Sequence, residues 1–141
     1  YRGQDENHWQ NMIDSPSRRA WSGYSFEQLC LHHIRQIKQK LGILGVQSDI
    51  CGWKGEGAQI DLLIDRRDQT INLCEMKFSQ GEYEITKQYD EHLRERAEIF
   101  RTASKTRKAL HHTFVSTYGI KKNMYSGTIN SEVMLDDLFV E

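Results

Sequence analysis

Residues 57–79 read GAQIDLLIDRRDQTINLCEMKFS. Two runs rich in β-branched and apolar residues flank the polar connection RRDQ. The stretch therefore predicts two strands joined by a tight turn, and so antiparallel neighbours. In the first run Ala58, Ile60, Leu62 and Ile64 point one way and Gln59, Asp61, Leu63 and Asp65 the other. In the second, TINLCEMKF, Ile71, Leu73, Glu75 and Lys77 share one face, and Asn72, Cys74, Met76 and Phe78 share the other. Both faces are largely apolar, which predicts a central strand covered on both sides. A carboxylate there is costly unless it is paired or bound to a metal. Glu75 and Lys77, two residues apart, project from the same face about 7 Å apart along the strand, and Asp61 lies on the neighbouring strand.

Outward from the hairpin, SGYSFEQLCLHHIRQIKQKLG (22–42) reads as one helix with Phe26, Leu29, Cys30, His33, Ile34, Ile37 and Leu41 in an apolar stripe. Ser25 with Gln28 matches a capping box, and Gly42 is a stop signal. Glu27 lies on the flank of the stripe. His32 and His33 diverge by about 100° on a helix and so do not suit one metal ion. Ile43 to Trp53 is a weaker strand signal interrupted by Gly45, and KGEGA is a turn. Tyr83 to Ser104 repeats Ile85, Tyr89, Leu93, Ala97 and Phe100 at helical spacing. ALHHTFVSTYG predicts a strand with His111 and His112 as strand-edge residues, KKNMYSG a loop, and SEVMLDDLF a last short strand or strand plus turn. The order αβββαββ predicts an α/β fold, a mixed sheet flanked by helices.

The chain has 141 residues, enough for one domain with a single core. Residues 1–20 show little periodicity and hold the only proline, Pro16; they read as a linker or arm from a preceding domain, with Trp9 and Trp21 as possible packing points and residues 21–141 as the domain proper. The start lacks the charged and apolar regions of a signal peptide and an initiator Met, so the chain reads as a piece of a longer protein. No apolar run approaches the ~18 residues that span a bilayer, so no membrane association is expected. Cys30, Cys51 and Cys74 are an odd count without a CxxC pair, which signals neither a zinc ribbon nor a disulfide framework and fits a reducing cytoplasm. A net charge of −1 argues against a strongly basic nucleic-acid binder. From Thr86 to Lys108, seven cations stand against four anions, the cations gathered toward the C-terminal end, as on a solvated helix face.

If register brings Asp61 beside Glu75, two carboxylates converge next to an ammonium. Converging carboxylates repel unless a cation sits between them. Oxygen ligands in a semi-open site suit Mg²⁺ or Mn²⁺ with several waters retained. Such an ion lowers the pKa of a bound water and stabilises charge on a phosphodiester, and Lys77 is placed to orient or deprotonate the attacking water. The pattern resembles the PD-(D/E)xK nuclease superfamily: Asp61 in QID, Glu75 and Lys77 in EMK, and Glu27 in YSFEQLC, on a helix, three strands, helix, strand core. Ile60 stands where the family's name has proline. The resemblance implies a restriction-endonuclease-like fold, direct metal ligation by Asp61, Glu75 and the Met76 carbonyl, Glu27 acting directly or through water, and Lys77 activating the nucleophile. Gln59, on Asp61's face, and Gln88, on the second long helix, are candidate substrate contacts; Tyr89 reads as core.

A closer resemblance covers about Ala20 to Phe139. AWSGYSFEQLCLHHI, GAQIDLLIDR, INLCEMKFS and SEVMLDDLF resemble the C-terminal domain of bacterial and archaeal-type P-loop ATPases, which join an AAA-like ATPase and a winged-helix-like segment to a nuclease-like domain. It implies an ATPase partner domain joined to a nuclease-like domain of uncharacterised function; DNA as substrate is what the PD-(D/E)xK pattern implies. The chain has no GxxxxGK followed by Ser or Thr, so these residues themselves are not expected to bind ATP. Two other readings stand beside hydrolysis. One is a catalytically silent module of the same fold that binds DNA or regulates its ATPase. The other is a structural ion pair between Glu75 and Lys77, with Asp61 capping a strand end.

Overall fold

The computed structural model describes residues 16–55 and 57–140, with side chains from Ser22 onward. The elements are α1 (Pro16–Leu31), α2 (Ile34–Lys40), β1 (Ser48–Gly55), β2 (Ala58–Arg66), β3 (Thr70–Lys77), β4 (Tyr83–Glu84), α3 (Lys87–Ser104), β5 (Ala109–Ser116), β6 (Ile120–Lys121) and β7 (Ser131–Met134). Short 3₁₀ turns cover Ser126–Thr128 and Leu135–Phe139. Five strands form one mixed sheet in the order β1-β2-β3-β5-β7, and β4 and β6 form a separate parallel pair. The β1-β2-β3 half is antiparallel and the β3-β5-β7 half parallel.

β3 is central, as its two apolar faces predict, and Ile71 to Cys74 are all buried. One face of the sheet offers Leu62, Ile64, Cys74, Val115 and Val133 to Phe26 and Cys30 of α1 and Ile37 of α2. The other offers Ile60, Leu63, Ile71 and Leu73 to Ala97 and Phe100 of α3. Each fully buried Leu, Ile or Phe contributes roughly 1.5–3 kcal/mol, so the layers are held chiefly by these two clusters. The turn between β2 and β3 places Gln69 in the left-handed region, at φ 68°. At the other hairpin, Gly55 has no side chain because the Trp53 ring folds across it: an added Cβ would lie 2.5 Å from Trp53 Cζ2. That ring packs edge-on against Phe100 with centroids 5.3 Å apart.

Several expectations are corrected. The first helix does not run from 22 to 42. It begins at Pro16, so Ser25 lies inside α1 and caps nothing, and it breaks at His32 and His33. The His33 backbone N–H bonds the Cys30 carbonyl instead of that of Leu29. The Leu29 carbonyl accepts from His33 Nδ1 at 2.7 Å, so the imidazole replaces the lost helical bond. Gly42 does act as the stop, at φ +74°. Of the expected arm, residues 1–15 including Trp9 lie outside the described residues, as does the Trp21 side chain, and residues 16–20 belong to α1. The second long helix starts at Lys87, not Tyr83, because Thr86 caps it, its side chain accepting the Tyr89 N–H at 3.1 Å. Tyr83–Glu84 pairs with Ile120–Lys121 instead. His111 and His112 lie on β5, an interior strand between β3 and β7, and are half-buried.

Candidate functional site

The β2–β3 ladder runs from Asp65–Ile71 to Leu62–Cys74 and stops there, although β2 continues back to Ala58 and β3 on to Lys77. Asp61 and Glu75 are the first residues past the last pair. β3 stays bound to β5 through Lys77–Ser116 while β2 stays bound to β1, so the hairpin opens into a fork. β2 carries a bulge at this point: Leu63 pairs with Cys51 and Ile60 with Trp53, so Asp61 and Leu62 together face Gly52. A Cβ at Gly52 would stand 3.4 Å from the Asp61 carbonyl oxygen. The bulge corrects the expected strict alternation. Ile60 and Leu63 both enter the core beneath α3, Leu62 faces α1, and Asp61 is turned out to solvent.

Glu27 projects from α1, Asp61 from β2, and Glu75 and Lys77 from the last turn of the β3 pleat. The Glu27 carboxyl is raised above the ordinary range, first by burial, then by the negative charges of Asp61 and of Glu75, with Lys77 acting against them. Glu27 thus lies within electrostatic reach of each of the other three. Asp61 Oδ1 accepts from Gln59 Nε2 at 2.8 Å. Lys77 Nζ lies 3.8 Å from Glu75 Oε1 and 5.6 Å from the centroid of the Tyr89 ring. Met76 packs its side chain on the α1 face, and its backbone lies opposite Val115 in the β3–β5 ladder. Gln88 is exposed on the first turn of α3.

Two side chains that the sequence reading did not assign to the site come from α3. Arg96 is only 7% exposed. Its Nη2 donates to Glu75 Oε2 in a short ion pair, and its Nη1 donates to the Gln59 carbonyl at 3.3 Å. The guanidinium therefore bridges the mouth of the fork, from the β3 carboxylate to a β2 carbonyl. Tyr89, read as core, turns its ring under Lys77 and packs edge-on against Tyr83 and Phe114. Its hydroxyl is buried without a partner at hydrogen-bond geometry, and burial first, then the Glu75 charge, push its pKa up. His112 is held below the usual histidine range by burial and by the Arg96 charge. The signal for Arg96 was present: it stands three residues after Leu93 and four before Phe100, a cation in the apolar stripe of its helix.

The donor set is three carboxylates, the chemistry of a hard divalent ion. Among the described residues, no three His, Cys, Asp or Glu side chains are drawn close enough together to form a ready-made metal cluster. Glu75 instead spends one oxygen on Arg96. Cys30 and Cys74 are buried thiols, the first pushed up to about 12 by burial. No helix among the described residues is long and apolar enough to cross a membrane. No family model, curated protein or solved structure matches the chain.

Proposed function

We propose that this chain is a Mg²⁺- or Mn²⁺-dependent nuclease domain that hydrolyses DNA phosphodiesters on a restriction-endonuclease-like fold, working in the cytoplasm beside an AAA-like ATPase. The observation that carries the reading is the fork. Asp61 and Glu75 follow the last β2–β3 pair, Lys77 lies 3.8 Å from Glu75, and Glu27 on α1 feels the charge of all three. The mixed five-stranded sheet with helices on both faces supports the fold, and the three free thiols support the compartment. The ATPase rests on the phrase resemblance from Ala20 to Phe139.

The residues fit a hard divalent ion by charge and by donor type: Glu27 is raised first by burial and then by the charges of Asp61 and Glu75, and such an ion relieves that second, repulsive part. Asp61 and the Glu75 oxygen not held by Arg96 would hold it directly, with the Met76 carbonyl, and Glu27 would act through water. When bound, the ion supplies a more acidic water and neutralises charge on the phosphodiester. Lys77, over the Tyr89 ring and 3.8 Å from Glu75, orients the attacking water. Gln59 holds the Asp61 carboxylate through its side chain and contacts the substrate backbone from an exposed position. Gln88 approaches from α3.

Supercoiled, linear and single-stranded DNA incubated with the protein under Mn²⁺ titration provide the test. Cleavage that disappears in Asp61→Ala and in Lys77→Ala supports the proposal. Absence of cleavage of every DNA form, with no Mn²⁺ bound, sinks it. One observation favours a second reading, a catalytically silent module that binds DNA or serves its ATPase: Glu75 already has a cation in Arg96. DNA binding or ATPase co-purification without Mn²⁺ binding distinguishes it.

A further inference from the structure

Arg96 is the only cation among the buried residues of the described core, and it stands at the mouth of the fork. Two of its nitrogens reach Glu75 and the Gln59 carbonyl, while Nε is buried with no acceptor. A guanidinium never deprotonates in a protein, so this positive charge is permanent. The Glu75 carboxylate therefore meets a cation on each oxygen: Arg96 at Oε2, and Lys77 3.8 Å from Oε1. Three carboxylates, Glu27, Asp61 and Glu75, stand against two cations, Lys77 and Arg96, and leave one net negative charge at the fork. One divalent ion turns that charge positive, and the positive site then opposes a second ion.

Resting on the nuclease reading above, we infer that Arg96 is a positioning residue that acts as the site's resident cation: it holds Glu75 through Oε2, weakens divalent-ion binding and limits the site to a single ion. The same bridge keeps the fork at a fixed width. Glu75 on β3 and the Gln59 carbonyl on β2 are fastened to one rigid plane, and Gln59 in turn holds Asp61 at 2.8 Å. Through Glu75 and Gln59, Arg96 governs the two direct ligands without touching the ion.

Mn²⁺ binding to the whole 141-residue chain, followed by electron paramagnetic resonance of the free ion and by calorimetry, tests this. The unsubstituted protein is expected to bind one Mn²⁺. Arg96→Gln, which keeps a donor and removes the charge, is expected to bind Mn²⁺ at least tenfold more tightly. Arg96→Lys, which keeps the charge, is expected to stay within threefold of the unsubstituted protein. Unchanged or weaker binding by Arg96→Gln overturns the inference, because a guanidinium that only supports the fold would loosen Glu75 when lost. Two ions bound to the unsubstituted protein overturn it as well, whether or not Arg96→Gln folds. No Mn²⁺ bound to the unsubstituted protein overturns the metal-site reading itself, a failure distinct from the first two.

Discussion

At the turn end of the β2–β3 hairpin, Lys108 Nζ sits 2.6 Å from Asp65 Oδ1 and 2.8 Å from the Arg66 carbonyl, and Arg66 pairs with Asp68 and with Asn72. At the open end, Asp61, Glu75 and Glu27 share Lys77 and Arg96. The residue types are the same and the outcomes differ. Where the ladder is closed, every charge has a near partner and water nearby, so the group reads as a stabilising network. Where the ladder opens, the carboxylates outnumber the cations, one is pushed toward protonation and the strongest pair is buried. What separates the two charge clusters is the loss of backbone pairing between the strands, not the residue inventory.

Four measurements test how far the two ends of the hairpin differ. The largest effect belongs to Glu75→Ala, which leaves the Arg96 guanidinium buried and unpaired; chemical denaturation is expected to show a loss of about 3–5 kcal/mol. A loss below about 1 kcal/mol would make the fork no different from the turn. Next comes Asn72→Ala at the turn end. Asn72 is 2% exposed and bonds both Arg66 and Thr113, and its removal is expected to cost about 1–3 kcal/mol through the unsatisfied partners. Asp65→Ala removes a pair whose side chains are 42% and 24% exposed, so its cost is expected at or below about 1 kcal/mol and to fade with added salt.

The smallest effect is a pH signature at Glu27. Its carboxyl is raised in the folded state. A raised pKa means that the folded chain holds the proton more firmly, so the associated stability is present below the unfolded-state pKa and is lost as pH rises through the folded value. Glu27→Gln is therefore expected to raise the melting temperature at pH 7 and to leave it unchanged near pH 3.5. Equal shifts at both pH values would show that Glu27 feels no crowding of carboxylates.

Much of the fold could be read from residues 57–79 alone. Alternation and a polar turn specify the hairpin, and apolar residues on both faces of β3 specify its central place. Capping chemistry was harder to weigh: Thr86 set the start of α3 against an apolar periodicity that ran on to Tyr83. The His33 break in the first helix was hidden because an imidazole took over a backbone bond. The bulge at Asp61 was invisible, since it depends on β1 pairing across Gly52 and period-two spacing carries no record of that. Within the site, Asp61, Glu75, Lys77 and Glu27 were legible as charges in apolar strands or on a helix flank. Tyr89 was read as core and Arg96 was not assigned to the site: its place in the apolar stripe between Leu93 and Phe100 is a signal, but only the tertiary packing of α3 shows that it turns inward to Glu75.

The mixed sheet also orders the folding reaction. β3 reaches β2 across a three-residue connection but reaches β5 only after residues 78–108 have been threaded past. Closing the short loop costs far less chain entropy than closing the long one, so the β1-β2-β3 meander forms first and α3 arrives afterwards. Pulse-labelled amide exchange should find Leu62 and Cys74 protected before Val115; the reverse order would refute this sequence of events. Glu75 and Lys77 thus spend the early life of the nascent chain without their guanidinium companion, and the mouth between the two strands takes its final shape only when the last long helix docks.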